Sequence, residues 1–304
     1  MIPLYSSPKK LLIPALIVIA LVIAVVIILQ LLPQKEAFLG PKIENSIAVI
    51  SFENQTGDKS YGYLQKAIPN LLITSLEQTG DLYVVTWERM RDILGQIRKK
   101  DVETIDRDMG FRLCRREGVE VIVLGSFIKA ENIFATDVKV LDVETKRLLK
   151  SASSRGEGVD SILVTQIDEL SREIVRGLGV GRQKIEASKL RIADVATTSM
   201  EAYNSFLKGR EDYDKRYFDD ARRHLEKAVE LDQEFAVAYL YLAYTYNYLR
   251  NIQARNQAYE KAKFYSDRAS DKERLFIEAS YADAVEKDPE KRFRIYEEIA
   301  RKYP

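Results

Sequence analysis

The sequence predicts an α/β sandwich with a mixed sheet, followed by an all-α helical-repeat solenoid, behind one N-terminal transmembrane helix. Three observations carry this reading: a nineteen-residue uncharged run from Leu11 to Leu29, strand and helix patterns alternating over 46–185, and a helix-pair pattern beyond residue 200 that returns after 34 residues.

Composition bounds the function. With 304 residues, 46% hydrophobic and 31% charged, the chain has room for two folding units. Its formal net charge of +1 supplies no basic field for nucleic acid. The single cysteine, Cys114, forms no intrachain disulfide or thiolate zinc cage and is expected in or near the core. The single histidine, His224, lies in a helix-like run between Arg223 and Leu225, and histidine-based metal or triad chemistry lacks its partners. Neither a cofactor nor a metal is expected.

The elements follow in order. Residues 1–10 form a short N-terminus carrying Lys9 and Lys10, and 11–32 form an uncleaved membrane helix, since the uncharged run LLIPALIVIALVIAVVIIL covers roughly 28 Å at about 1.5 Å per residue. The lysines before it, against mixed charge after it, place the N-terminus inside and the bulk of the chain on the extracytoplasmic side of the cytoplasmic membrane. Residues 33–45, with two prolines and a glycine, read as a tether.

The α/β domain spans 46–185. SIAVISF (46–52) and LYVVT (82–86) read as strands buried on both faces, and the helix between them carries Leu64, Ala67, Ile68, Leu71, Leu72 and Leu76, with Pro69 expected at its first position. Two helices, 87–99 and 103–117, precede three strands at 119–127, 132–143 and 147–154 joined by tight turns. Phe134, Thr136, Val138 and Val140 share one face of the middle strand, which predicts one covered side. A closing helix holds the stripe Ile162, Leu163, Ile167, Leu170, Ile174 and Val175.

IAVISFENQTGD, RREGVEVIVLGSFIK and FATDVKVLDVETKRLL resemble, in order and spacing, the TolB-like amino-terminal domain and the related FlgO and curli-assembly (CsgG-like) domains over about residues 46–180. The resemblance implies an envelope protein with protein partners. In that family such a domain, paired with repeats, often lies across a membrane helix from a cytoplasmic kinase, cyclase or winged-helix domain.

The junction FENQTGDKS is the candidate polar site. Asn54, Thr56 and Asp58 favour turns through local side-chain bonds, and the stretch has one glycine and no Gly-Lys-Ser/Thr ending, so a chain reversal accounts for it. A ligand site at the carboxyl end of a strand is the alternative. GLGVG (177–181) follows a helix, not a strand, and reads as a helix end opening a linker; residues 186–199 continue that linker.

Residues 200–304 repeat. From Ala202 the pattern steps 34 residues to Ala236, then 37 to Glu273. Tyr239-x-x-Leu242-Ala243-x-x-Tyr246, with Gly209 and Ser280 at the small position of the flanking units, resembles tetratricopeptide repeats, about three in number. Small residues there allow close helix approach. The resemblance implies a concave groove lined by Val237, Leu240, Tyr244, Asn247 and Tyr248, suited to a peptide or protein partner in the envelope; the alternative is that these residues are aromatic-rich core.

No nucleophile and base are paired, and the carboxylates lie on helix faces of the solvated kind, so an enzyme is not expected. The functional expectation is a membrane-anchored extracytoplasmic scaffold or sensor. The alternative is the sensory half of a signalling protein, a Ser/Thr kinase, adenylate cyclase or winged-helix regulator, whose cytoplasmic domain is not in this chain.

Overall fold

Strand β1 (Ile43–Val49) alternates its side chains between two apolar layers: Ile47 and Val49 enter one, Ala48 and the following Ile50 the other. Each fully buried aliphatic side chain of this kind contributes about 1.5–3 kcal/mol relative to exposure. The computed structural model describes residues 43–80, 82–96, 104–179 and 191–303, which fall in one compact unit. The expected anchor at 11–32 and nearly all of the tether lie outside the described residues.

The remaining strands are β2 (Glu53–Asn54), β3 (Tyr83–Val85), β4 (Val119–Ala130), β5 (Ile133–Asp142) and β6 (Leu148–Glu157). The sheet order is β3-β1-β4-β5-β6, with β2 pairing β4 as a short continuation beside β1. β1 runs parallel to β3 and β4, while β4-β5-β6 is an antiparallel meander, so the sheet is mixed as expected. Phe134, Thr136, Val138 and Val140 of β5 are buried together, while Asp137 and Lys139 between them are not.

Helices cover both faces. α1 (Leu64–Glu77) shares one apolar cluster with α4 (Ile167–Gly177); α2 (Trp87–Gln96) and α3 (Arg107–Glu117) share the other, which holds Cys114 at its expected buried position. Pro69 is not at the first position: α1 begins at Leu64 and runs through it. Proline has no N–H for the carbonyl four residues back, and that carbonyl, on Gln65, instead accepts the backbone N–H of Phe52 at 3.2 Å. α3 stops abruptly because Gly118 takes a left-handed φ of 72° and turns its N–H back to the Arg115 carbonyl, so β4 starts at the next residue. A single π-turn, Ile162–Gln166, precedes α4 and buries Gln166, whose amide donates to the Phe134 carbonyl at 3.1 Å and accepts from Thr136 at 2.8 Å.

Part of the segment read as a linker is folded. α5 (Ile192–Val195) buries Ile192, Ala193 and Val195; the Ile192 N–H donates to Asp168 at 3.0 Å, and the Met200 N–H to Asp160 at 2.7 Å. Three helical hairpins follow: α6 (Met200–Asp214) with α7 (Phe218–Leu231), α8 (Ala236–Tyr248) with α9 (Ile252–Phe264), and α10 (Asp271–Tyr281) with α11 (Pro289–Lys302). A Cβ at Gly209 would lie 2.6 Å from Leu225 Cγ, so the α6–α7 approach requires glycine. Ser199, Asn251 and Asp288 accept first-turn N–H groups at helix starts, and Ser270 with Glu273 forms a full capping box on α10. One apolar cluster continues from β1 through α1 to Ile277 of α10.

Candidate interaction site

The polar turn after β1 is built from its own side chains. Asn54 Oδ1 accepts from the Thr56 N–H at 3.0 Å and from Thr56 Oγ1 at 2.7 Å, and Asn54 Nδ2 donates to the Asp58 carbonyl at 2.9 Å. Thr56 Oγ1 accepts from the Asp58 N–H at 3.0 Å, and Asp58 Oδ1 from the Ser60 N–H at 2.8 Å. The Ser60 backbone N–H, then its hydroxyl, hold the exposed Asp58 carboxyl below its ordinary range. The three residues come together and satisfy one another, which is what a chain reversal needs.

Beside the turn, at the carboxyl end of β1, lies a cleft of about 310 Å³ whose walls include Ser51, Gln65, Asp106, Arg107, Ser126 and Lys139. Asp106 caps α3 through the Met109 N–H at 2.8 Å, and Ser51 accepts the Ile105 N–H at 2.8 Å. These residues come from the end of β1, α1, the start of α3, β4 and β5, so no local sequence signal joins them.

The five expected groove residues divide. Val237 and Leu240 are 4% and 3% exposed and belong to the continuous core, so they form no open lining. Tyr244 is packed among Tyr213, Tyr241 and Tyr259, and its hydroxyl lies 2.8 Å from Ser280 Oγ. Burial pushes its phenol well above the ordinary range, with the Ser280 hydrogen bond opposing. Val237 and Leu240 are thus covered, while Tyr244 is half-buried. Asn247 and Tyr248 are exposed: Asn247 accepts from Arg255 Nη1 at 3.0 Å, and Tyr248, 57% exposed, stacks on Phe218 with centroids 4.4 Å apart and planes 8° from parallel.

Helix α1 reaches the first and third hairpins through side chains. Lys66 reaches Glu211 of α6 at 3.3 Å, Arg210 donates to Asn70 at 2.8 Å, and Lys272 of α10 reaches Glu77 at 2.7 Å; outside α1, Arg91 of α2 pairs with Asp214 at 2.7 Å. Sequence reading missed all four, because each joins residues more than a hundred positions apart. A second groove, about 820 Å³, runs between α8 and α9 over Tyr239, Leu242, Tyr246, Ala254, Ala258 and Phe264, with Tyr246 donating to Glu226 of α7 at 2.7 Å. His224 is on the helix surface, its Nδ1 2.7 Å from Asp212. Among the described residues, no group of three or more His, Cys, Asp and Glu is placed to hold a metal ion.

No family model matches the chain. It is 26% identical over 205 residues to "Putative adenylate cyclase 3" of Rhizobium meliloti (strain 1021), a match covering 65% of this chain and 32% of that protein. The chain thus spans about a third of the length of this curated relative. Among solved structures, the LpoB C-terminal domain from Salmonella enterica superposes with a TM-score of 0.29 at 16% identity, covering 39% of this chain and 86% of that one. The Escherichia coli LpoB C-terminal domain gives 0.29 at 14%, covering 43% and 93%, and the lipoprotein GNA1162 from Neisseria meningitidis 0.28 at 14%, covering 45% and 99%.

Proposed function

We propose that this chain is a membrane-anchored extracytoplasmic scaffold or sensor that engages an envelope protein through a TolB-like domain fused to tetratricopeptide repeats, and that it is not itself an enzyme. The observation that supports the reading best is the aromatic pair at the junction of the first and second hairpins, exposed Tyr248 of α8 stacked on half-buried Phe218 of α7, beside the Asn247–Arg255 pair. Aromatic and arginine side chains of this kind supply large contact area at little entropic cost. The uncharged run at 11–32 supports the anchor, and the described helices include none long and apolar enough to cross a membrane. Protease added to intact spheroplasts should digest the chain beyond residue 45; full protection overturns the topology.

A second reading has its own support in the match to the adenylate cyclase relative: the chain is the sensory part of a signalling protein. Purified full chain with ATP and magnesium should form no cyclic nucleotide in either reading. Product formation overturns the non-enzymatic assignment.

A further inference from the structure

Helix α11 (Pro289–Lys302) carries an uncovered apolar stripe: Phe293 and Tyr296 are 63% and 41% exposed, and Pro289 and Ala300 are exposed as well. At about 100° per residue these four fall within about 60° of one another around the helix, about one turn apart along it, while Ile299 on another face is buried. Tyr296 leans edge-on against Phe276 of α10, ring centroids 6.3 Å apart, which holds its ring in place. Along one flank of the stripe, the neighbouring sector of about 60° carries Glu290, Arg294, Glu297 and Arg301, all exposed. Among the described residues none of these four has an ion-pair partner, whereas Lys291, Arg292 and Lys302 of the same helix pair with Glu286, Asp283 and Asp271.

We infer that this face docks a second copy of the chain, α11 against α11, antiparallel about a two-fold axis. The order of charges selects that occupant. In a two-fold antiparallel pair each flank meets the same flank of the other helix, and if one residue faces a second, the second faces the first. Glu290 and Arg301 lie equally far from a point between Ile295 and Tyr296, and so do Arg294 and Glu297. An axis at that point sets Glu290 against Arg301 of the second copy and Arg294 against its Glu297, each twice, and brings Phe293 level with the gap between Tyr296 and Ala300 of that copy. The register is selected too, because a slide of one helical turn sets Arg294 against Arg301 in one direction and Glu290 against Glu297 in the other. Apolar contact along the stripe supplies the attraction, and the exposed ion pairs, weak by themselves, fix the alignment. One helix pair is smaller than the about 1,200–2,000 Å² of stable complexes, so the dimer is concentration-dependent. This inference goes beyond the scaffold reading and does not rest on it.

The test follows the molar mass of the full chain in detergent against its concentration by sedimentation equilibrium, with far-UV ellipticity to show that each variant is folded. Wild type should pass from monomer to dimer. Arg294→Glu and Glu297→Arg each set like charges face to face twice and should weaken the dimer by roughly tenfold or more. Phe293→Ala, which keeps every charge, should weaken it as well. Mixed in equal amounts, the Arg294→Glu and Glu297→Arg chains should recover a heterodimer of wild-type strength, since every facing pair is again opposite in sign. Pairing within one helix, which spacings of three and four residues also suit, produces no such recovery. A wild type that stays monomeric, a dimer that none of the three substitutions weakens and that is therefore held by the uncharged run at 11–32 or by another surface, or a mixture no tighter than its components overturns the inference.

Discussion

Arg210 Nη2 donates to Asn70 Oδ1 at 2.8 Å while Asn70 Nδ2 donates to the Lys66 carbonyl at 2.8 Å, so one amide ties the first hairpin to the backbone of α1. Charge-assisted hydrogen bonds of this kind are worth about 1.5–3 kcal/mol. Asn70→Ala removes the acceptor and should cost about 2 kcal/mol, read as a lower urea midpoint by both Trp87 fluorescence and ellipticity. Asn70→Asp keeps an acceptor for Arg210 and should lose less at neutral pH.

Tyr244 and Tyr248 should respond to truncation with losses of different size, although they are one helical turn apart. Tyr244→Ala empties a packed aromatic site and should cost about 3 kcal/mol, near the lower end for large aromatic truncations. Tyr248→Ala loses one stacked pair with Phe218, worth about 0.5–1.5 kcal/mol. Thermal melts of the two variants decide it; equal losses would place Tyr248 in the core as well.

That contrast shows where the sequence was legible. Strand alternation at Ile47–Ile50, the covered side of β5 and the small residue at Gly209 follow from local spacing, and the structure has them. Pro69 was misplaced because its missing hydrogen bond is compensated from Phe52, which no helical rule anticipates. Val237 and Leu240 stand where a repeat register puts groove residues; their burial is set by tertiary packing, which no local spacing reports. Asn54, Thr56 and Asp58 were legible as a turn because their bonding is local.

Gly209→Ala should destabilise the first hairpin by about 1–3 kcal/mol, the range for overpacking. A Cβ there meets Leu225 Cγ at 2.6 Å and the Leu225 backbone N at 3.1 Å, so side-chain rotation alone does not relieve the clash. Adding Leu225→Ala should recover part of the α6–α7 approach while losing core, giving a non-additive double variant in urea titrations.

The first turn of α10 carries two carboxylates with opposite pH signatures. Partial burial raises the Asp271 pKa, but hydrogen bonds from Lys302, Tyr303 and Arg274 together outweigh it and hold the group down at about 2. A depressed folded value means stability present above the unfolded value of 3.8 and lost as pH falls toward about 2. Glu273 is raised, chiefly by burial, against the two hydrogen bonds it accepts from Ser270 at 3.0 and 2.7 Å; Arg210 lowers it and Glu77 raises it. A raised carboxylate binds its proton more tightly in the fold, so its contribution grows as pH falls through the folded value toward 4.5 and is lost as pH rises. Asp271→Asn should therefore lower the urea midpoint at pH 7 and flatten the decline between about pH 4 and 2. Glu273→Gln keeps a capping-box acceptor, relieves the burial of a charge, and should leave the pH 7 midpoint unchanged or higher while removing the gain in mild acid. Other carboxylates held low, Asp142 and Asp194 among them, share the acid decline, so the comparison is each variant's difference from wild type at every pH. A Glu273→Gln curve parallel to wild type from pH 7 to 4 would show that the carboxylate titrates as it does in the unfolded chain.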